Sequence, residues 1–321
     1  ALVKVEPVSV SFPFISFRDK ASLAGPLISA LLFEYNDDDN RITFGDWLRR
    51  RGATERSIER LWNQIIVPTL NARVDEVSVP MGMMILKRVL LDKGGGKLGR
   101  LDCELGEIGL KASEFVESRG GEVRLSSTVI SIEPSGDGDC RIELAGGEEL
   151  TSEVVLSAVP GHHLEKILSE EVLSKFSRPF WNLEWNSILN IHLFFSRSVM
   201  DQEFFGFLEG TAGWVFNVDW NGPNSGEHIC LTMSDPGEME DKDSGELIDL
   251  VLKDLSRALP AIKRTDLTDS VVLHQPRATF KPGPGSTAKR PSQDPEVPGL
   301  ILAGDWTDTG WPSTMEGAVR S

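Results

Sequence analysis

The sequence predicts an α/β fold. Three observations predict it. Residues 20–92 carry helical apolar spacing with cap signals. From residue 122 onward, short β-branched runs alternate with turn residues. Residues 299–319 read as a strand, a tight loop and a helix start. At 321 residues the chain has room for roughly two domains and a sizeable core.

The helical part comes first. Thr43 can cap a helix carrying Phe44, Trp47 and Leu48, and Gly52 can end it. Thr54 can cap the next, where Ile58, Leu61, Trp62, Ile65 and Ile66 fall on one face and Pro68 is expected to stop it. Met81 to Leu91 reads as a third apolar helix. Residues 105–119 read as a helix ending in Arg-Gly-Gly. Three strands are expected at 122–125, 128–132 and 140–144, with turns at Asp137-Gly138 and Gly146-Gly147. Val154 to Leu156 reads as a buried strand. Residues 187–195 alternate cleanly, with Leu189, Ile191, Leu193 and Phe195 on one face and Ile188, Asn190, His192 and Phe194 on the other. Further strands are expected at 213–218, 227–232 and 271–274, and a helix at 246–259. Lys281 to Pro298 is a Pro- and Gly-rich connection.

Composition narrows the function. Apolar residues make up 40% and charged residues 26%, an ordinary globular balance. The net charge of −16 lacks the basic footprint of a nucleic-acid binder. It also argues against adhesion to an anionic membrane by charge, so any membrane contact is apolar and local. Cys103, Cys140 and Cys230 form no CxxC pair, and a reducing compartment is expected. The five histidines include no i, i+4 pair and none beside a cysteine, so no zinc pattern is present. The longest uncharged apolar run, 21–33, is shorter than the about 20 residues that span a bilayer. The opening residues lack a signal-peptide layout.

One literal GxGxxG occurs, Gly94 to Gly99. A helix-like segment precedes it, so a flexible connection is the reading. There is no P-loop, GxSxG elbow or HExxH. The informative stretch is Gly299-Leu-Ile-Leu-Ala-Gly-Asp305, a short strand delivering a glycine and an acid. Ser313-Thr-Met-Glu316 then fits a capping box, with Ser313 as N-cap. A strand feeding a helix N-terminus can hold a negatively charged ligand, or it can be an ordinary crossover.

The string Leu302-Ala-Gly-Asp-Trp-Thr-Asp-Thr-Gly-Trp-Pro-Ser-Thr-Met-Glu-Gly-Ala-Val-Arg-Ser321 closely resembles the C-terminal flavin-binding motif of FAD-dependent carotenoid and squalene desaturase-like enzymes, within the flavin amine oxidase superfamily. Its Trp306-to-Pro312 version looks most like the hydroxysqualene dehydroxylases. Thr43 to Gly52, Leu61 to Ala72 and Arg277 to Phe280 agree. The resemblance implies a glutathione reductase-like FAD-binding fold, partial, interleaved with an α+β substrate domain. The substrate domain is expected at 1–99 and 161–296, and the FAD domain at 100–160 and 297–321. It implies FAD as cofactor, held by Val129 on the adenine side and by Gly304, Asp305, Pro312, Thr314, Met315 and Glu316. It further implies that the family's opening βαβ unit and a short C-terminal tail lie outside this sequence. The chain as it stands is then expected to be colourless; a stoichiometric yellow flavin spectrum is the contrary result.

The implied substrate is an apolar polyprenyl chain in an apolar tunnel. Trp181, Trp185, Phe194, Phe204, Phe205, Phe207, Trp214 and Phe216 are expected to serve core and tunnel. Reductive dehydroxylation of hydroxysqualene is the leading reaction. Carotenoid desaturation, flavin amine oxidation and a non-catalytic flavin-fold relic are the rivals. Dehydroxylation needs a proton donor near the leaving oxygen, for which Asp308 is a candidate. His192 shares its face with Asn190 and could reach the tunnel. His162-His163 reads as a surface loop. A cytoplasmic protein peripheral to a membrane is expected, touching it through apolar helices in residues 10–92. No metal or nucleic acid is expected.

Overall fold

The computed structural model describes residues 2–4, 14–34, 37–91, 97–99, 104–134, 139–208, 213–219 and 226–321. The chain forms two compact units and passes between them repeatedly. One is made of Ala1–Phe12, Met84–Asn182 and Ala288–Ser321, the other of Pro13–Met83 and Leu183–Thr287. Gly94 to Gly96 lies outside the described residues; Lys97–Gly99 is a short strand. Among the described residues, no helix is long and apolar enough to cross a membrane.

In the Pro13–Met83 and Leu183–Thr287 unit, the caps act where the sequence places them. The Thr43 side chain accepts from the Asp46 N–H at 3.1 Å to open the Phe44–Arg50 helix. The Thr54 side chain accepts from the Ser57 N–H at 3.1 Å. Pro68 does not stop the helix that follows. Asn63–Leu70 runs through it, after a π-helical turn at Ile58–Trp62. Pro68 is exposed, so water can replace the backbone bond it removes. Asn71, left-handed at φ 52°, ends the helix instead.

Five antiparallel strands form the sheet of this unit, in the order Leu267–Phe280, Trp185–Phe195, His228–Ser234, Trp214–Asn217 and Phe204–Gly206. The first is much longer than the expected 271–274 strand. The alternation read at 187–195 holds. Leu189, Ile191, Leu193 and Phe195 are buried with Ile229, Leu231, Met233 and Val215. The Ser244–Ala258 helix joins that core through Leu247, Ile248, Val251, Leu252 and Leu255. The opposite sheet face is only half-buried.

The other unit contains a three-stranded antiparallel sheet, Val129–Pro134, Cys140–Leu144 and Glu149–Ser152. Residues 122–125 are not a strand. Ser126 turns the chain at φ 56°, and the Arg124 guanidinium forks onto Glu148 at 3.0 and 2.6 Å in place of a backbone ladder. Val155–Ser157 pairs in parallel with Leu300–Leu302. That strand is not buried as expected: Leu156 is 62% exposed, because its pairing leaves that side chain on an uncovered face of the described residues. His162 and His163 sit in the Gly161–Ile167 helix rather than in a loop.

Candidate flavin site

The site is built on the parallel pair. Leu300–Leu302 and Val155–Ser157 both end at one edge, where the Ala303 N–H donates to the Ser157 carbonyl at 2.8 Å. Ligands in open α/β sheets bind beyond the carboxyl ends of such strands. Gly304 follows at φ 132°, a region that favours glycine. A Cβ there would lie 2.7 Å from Trp306 Nε1. Its absence lets Trp306 tuck beneath the turn, where Nε1–H donates to the Val159 carbonyl at 3.1 Å. Trp306 is buried and packs on Phe180, with ring centroids 5.2 Å apart. Gly304→Ala is expected to push the indole out and to destabilise the protein by about 2–3 kcal/mol, as overpacking and positive-φ strain do. Chemical denaturation checks this.

Arg290 organises the turn from inside. It is fully buried. Its guanidinium donates to the Asp305 carbonyl at 3.1 Å, to the Thr307 carbonyl, and to the Trp306 carbonyl at 3.4 Å. Burial pulls its pKa down to about 10, with Asp308 and Asp305 acting in the opposite direction. It therefore stays protonated near neutrality. The Pro- and Gly-rich connection thus delivers a buried cation, which no periodic pattern signals.

The acids and the helix start complete the constellation. The Asp305 carboxylate accepts from the Ser313 hydroxyl. That engagement explains a one-residue shift from the expected cap. The N-cap is Thr314, whose side chain accepts from the Gly317 N–H at 3.0 Å, and the helix is Met315–Arg320. Pro312 precedes it, with its carbonyl 2.6 Å from where a Gly317 Cβ would stand. Met315 and Glu316 occupy the first turn, whose N–H groups have no acceptor within the helix. Val129 lies elsewhere in the unit, opening its strand opposite Leu144. Asp308 is held by Arg178, which donates to Oδ2 at 2.5 Å and to the Arg290 carbonyl at 2.7 Å.

A flavin fits these residues. Ser157 Oγ is buried at the carboxyl end of its strand with no hydrogen-bond partner among the described residues. It stands beside the turn that carries Asp305 and the helix start. An acid for ribityl hydroxyls, N–H donors for a developing negative charge and a spare hydroxyl suit a flavin nucleotide.

The pattern for flavin containing amine oxidoreductases matches residues 10–321. The chain belongs to the flavin amine oxidoreductase family. Its relatives include the 15-cis-phytoene desaturase of Solanum lycopersicum, 25% identical over 96% of this chain and 55% of that protein. The hydroxysqualene dehydroxylase of Rhodopseudomonas palustris is also 25% identical, over 99% of this chain and 78% of that protein. The chain thus spans about half the length of the plant desaturases it matches. Among solved structures, an oxidoreductase from Methanosarcina mazei superposes with a TM-score of 0.71 at 16% identity, covering 99% of this chain and 78% of that one. Putrescine oxidase bound to putrescine gives 0.70 at 12% identity, covering 97% and 75%. These structures share the fold of this chain.

Proposed function

We propose that the protein is a flavin-dependent oxidoreductase acting on an apolar isoprenoid, with reductive dehydroxylation of hydroxysqualene as its reaction. The observation that carries this reading is the Gly304-to-Glu316 turn, whose Trp306-to-Pro312 sequence resembles the dehydroxylases. The unit holding that turn binds the flavin, and the unit with the five-stranded sheet binds substrate. Bound flavin supplies hydride chemistry. The chain's own residues shape and charge the site. Arg290 gathers the turn's carbonyls inward, Asp305 and the Met315 and Glu316 N–H groups face the cofactor, and Asp308 acts as a clamp on Arg178. The oxygen that an Asp308 acid would present is already engaged by Arg178. Carotenoid desaturation is the second reading, favoured by the equal identity to the plant desaturases. The test is to assay the full-length protein for squalene formed from hydroxysqualene with reduced flavin. No squalene, with phytoene desaturated instead, selects the second reading.

An exposed apolar patch supports a lipid substrate. In Ala24–Leu31, the exposed residues Ala24, Ile28 and Leu31 recur on one face while Pro26 and Ala30 point inward. Leu32, and Phe17 on the preceding Phe17–Ala21 helix, are also exposed, at 79% and 86%. Exposed apolar clusters of this kind dock on partners or membranes. Wild-type protein is expected to sediment with neutral phosphatidylcholine vesicles. A Phe17→Ser/Leu31→Ser/Leu32→Ser variant is expected to bind about 100-fold more weakly, since the three lost side chains together remove about 3 kcal/mol of burial. Equal sedimentation shows that the patch does not bind membrane.

A further inference from the structure

The half-buried face of the five-stranded sheet carries a shallow bed with one high wall. Register lays it out in rows across the strands. One row runs Phe204, Phe216, Cys230, His192 and Val271, and the next runs Gly206, Trp214, Thr232, Asn190 and Leu273. The wall is aromatic, with Trp214 and Phe216 stacked at a centroid distance of 6.4 Å. Val271 and Leu273, both exposed, form a low apolar lip on the far side. Wall and lip stand three strand spacings apart, about 14 Å. The bed follows the His228–Ser234 strand, which spans roughly 20 Å.

The floor between them is polar but answers itself. The Thr232 hydroxyl donates to Asn190 Oδ1 at 2.9 Å. His192 Nδ1 lies 2.9 Å from His228 Nε2, and His192 Nε2 lies 3.7 Å from Cys230 Sγ. These bonds run sideways within the sheet, so an apolar chain laid over them breaks none. The two rows also carry no Asp, Glu, Lys or Arg, in a chain of which 26% is charged. An uncharged, elongated, apolar ligand is the complement of such a surface.

One glycine keeps the floor open. A Cβ on Gly206 would stand 3.2 Å from Trp214 Cε2 and 3.4 Å from Cδ2 and Cζ2. The indole therefore lies over the outer Phe204–Gly206 strand and leans away from Thr232, its neighbour on the other side. The Phe204 and Phe216 rings flank it, at 6.0 and 6.4 Å. A side chain at position 206 would push the indole the remaining way, over the floor at Thr232. We propose that this bed holds the isoprenoid chain and that Gly206 sets its width, by letting Trp214 lie aside. This rests on the isoprenoid oxidoreductase reading and adds to it the surface and the residue that fix how the chain lies.

The test titrates the full-length, flavin-bound protein with tritiated squalene in detergent, read by scintillation proximity. Gly206→Val is expected to bind about tenfold more weakly than wild type, the scale on which an apolar pocket resolves a methylene or two. Gly206→Val/Trp214→Ala is expected to return to within about threefold of wild type, because the two positions act through one contact. Val271→Glu/Leu273→Glu alters exposed positions outside the core and is expected to bind about tenfold more weakly, since the apolar chain then lies against charge. Wild-type affinity in a folded Gly206→Val overturns the role of Gly206. So does a double variant as weak as Gly206→Val, since the indole is then not what blocks the floor. Wild-type affinity in Val271→Glu/Leu273→Glu overturns the bed, whether or not Gly206→Val folds. A wild type that binds no squalene overturns the isoprenoid reading and this proposal with it.

Discussion

In the full-length protein, Arg290→Met is expected to unfold the Gly304-to-Glu316 turn and to abolish flavin retention. The guanidinium is fully buried and gathers the carbonyls of Asp305, Trp306 and Thr307. Methionine fills much of its volume but donates nothing. Three carbonyls lose their donor, and the Asp305 and Asp308 charges lose a nearby cation. Removing one member of a buried charged network costs about 3–5 kcal/mol. For a domain of this size that lowers the unfolding midpoint by roughly 10 °C. Arg290→Lys is expected to fall between, since it keeps the charge but not the fork. Calorimetry of the three proteins checks the order, and a Met variant melting with wild type contradicts it.

Asn71→Ala is the second large effect, in the other unit. Asn71 Nδ2 donates to the Ser187 carbonyl at 3.1 Å and to Thr279 Oγ1 at 2.9 Å, while Oδ1 accepts from the Asp235 N–H at 2.7 Å. One side chain thus joins a helix end, two strands and a turn. Its backbone is left-handed, where alanine is strained by about 1–2 kcal/mol. The stranded partners add about 1–3 kcal/mol each where water cannot reach them. A total loss of about 3–5 kcal/mol is expected by urea unfolding. Asn71→Gly should lose about 1 kcal/mol less, because glycine tolerates the angle. Equal losses in the two variants would remove backbone strain from this explanation.

The features legible in the sequence are those with a local cause. Thr43 and Thr54 cap because a hydroxyl meets an N–H three residues on. Trp185–Phe195 alternates because one face meets a helix. The Gly304–Asp305 turn is legible through its motif, and the family match agrees with the cofactor that motif implies. What was hidden depends on distant partners. Ser313 fails to cap because Asp305, eight residues earlier, takes its hydroxyl. Glu149–Ser152 becomes a strand through pairing with Cys140–Leu144, although Glu-Leu-Thr-Ser carries little apolar pattern. Arg178 and Arg290 come together from positions 112 residues apart. His192 and His228, from strands far apart in sequence, face each other 2.9 Å apart because register sets Cys230 against His192.

A flavin titration of the full-length protein beside its Asp305→Asn variant decides whether the Gly304-to-Glu316 turn holds the cofactor. Asp305 sits at the end of the parallel pair and is assigned to the cofactor. Wild type is expected to bind one flavin per chain and Asp305→Asn to bind at least tenfold more weakly, with an unchanged far-ultraviolet spectrum. Equal flavin affinity in the two proteins would contradict the assignment of this turn as the flavin site.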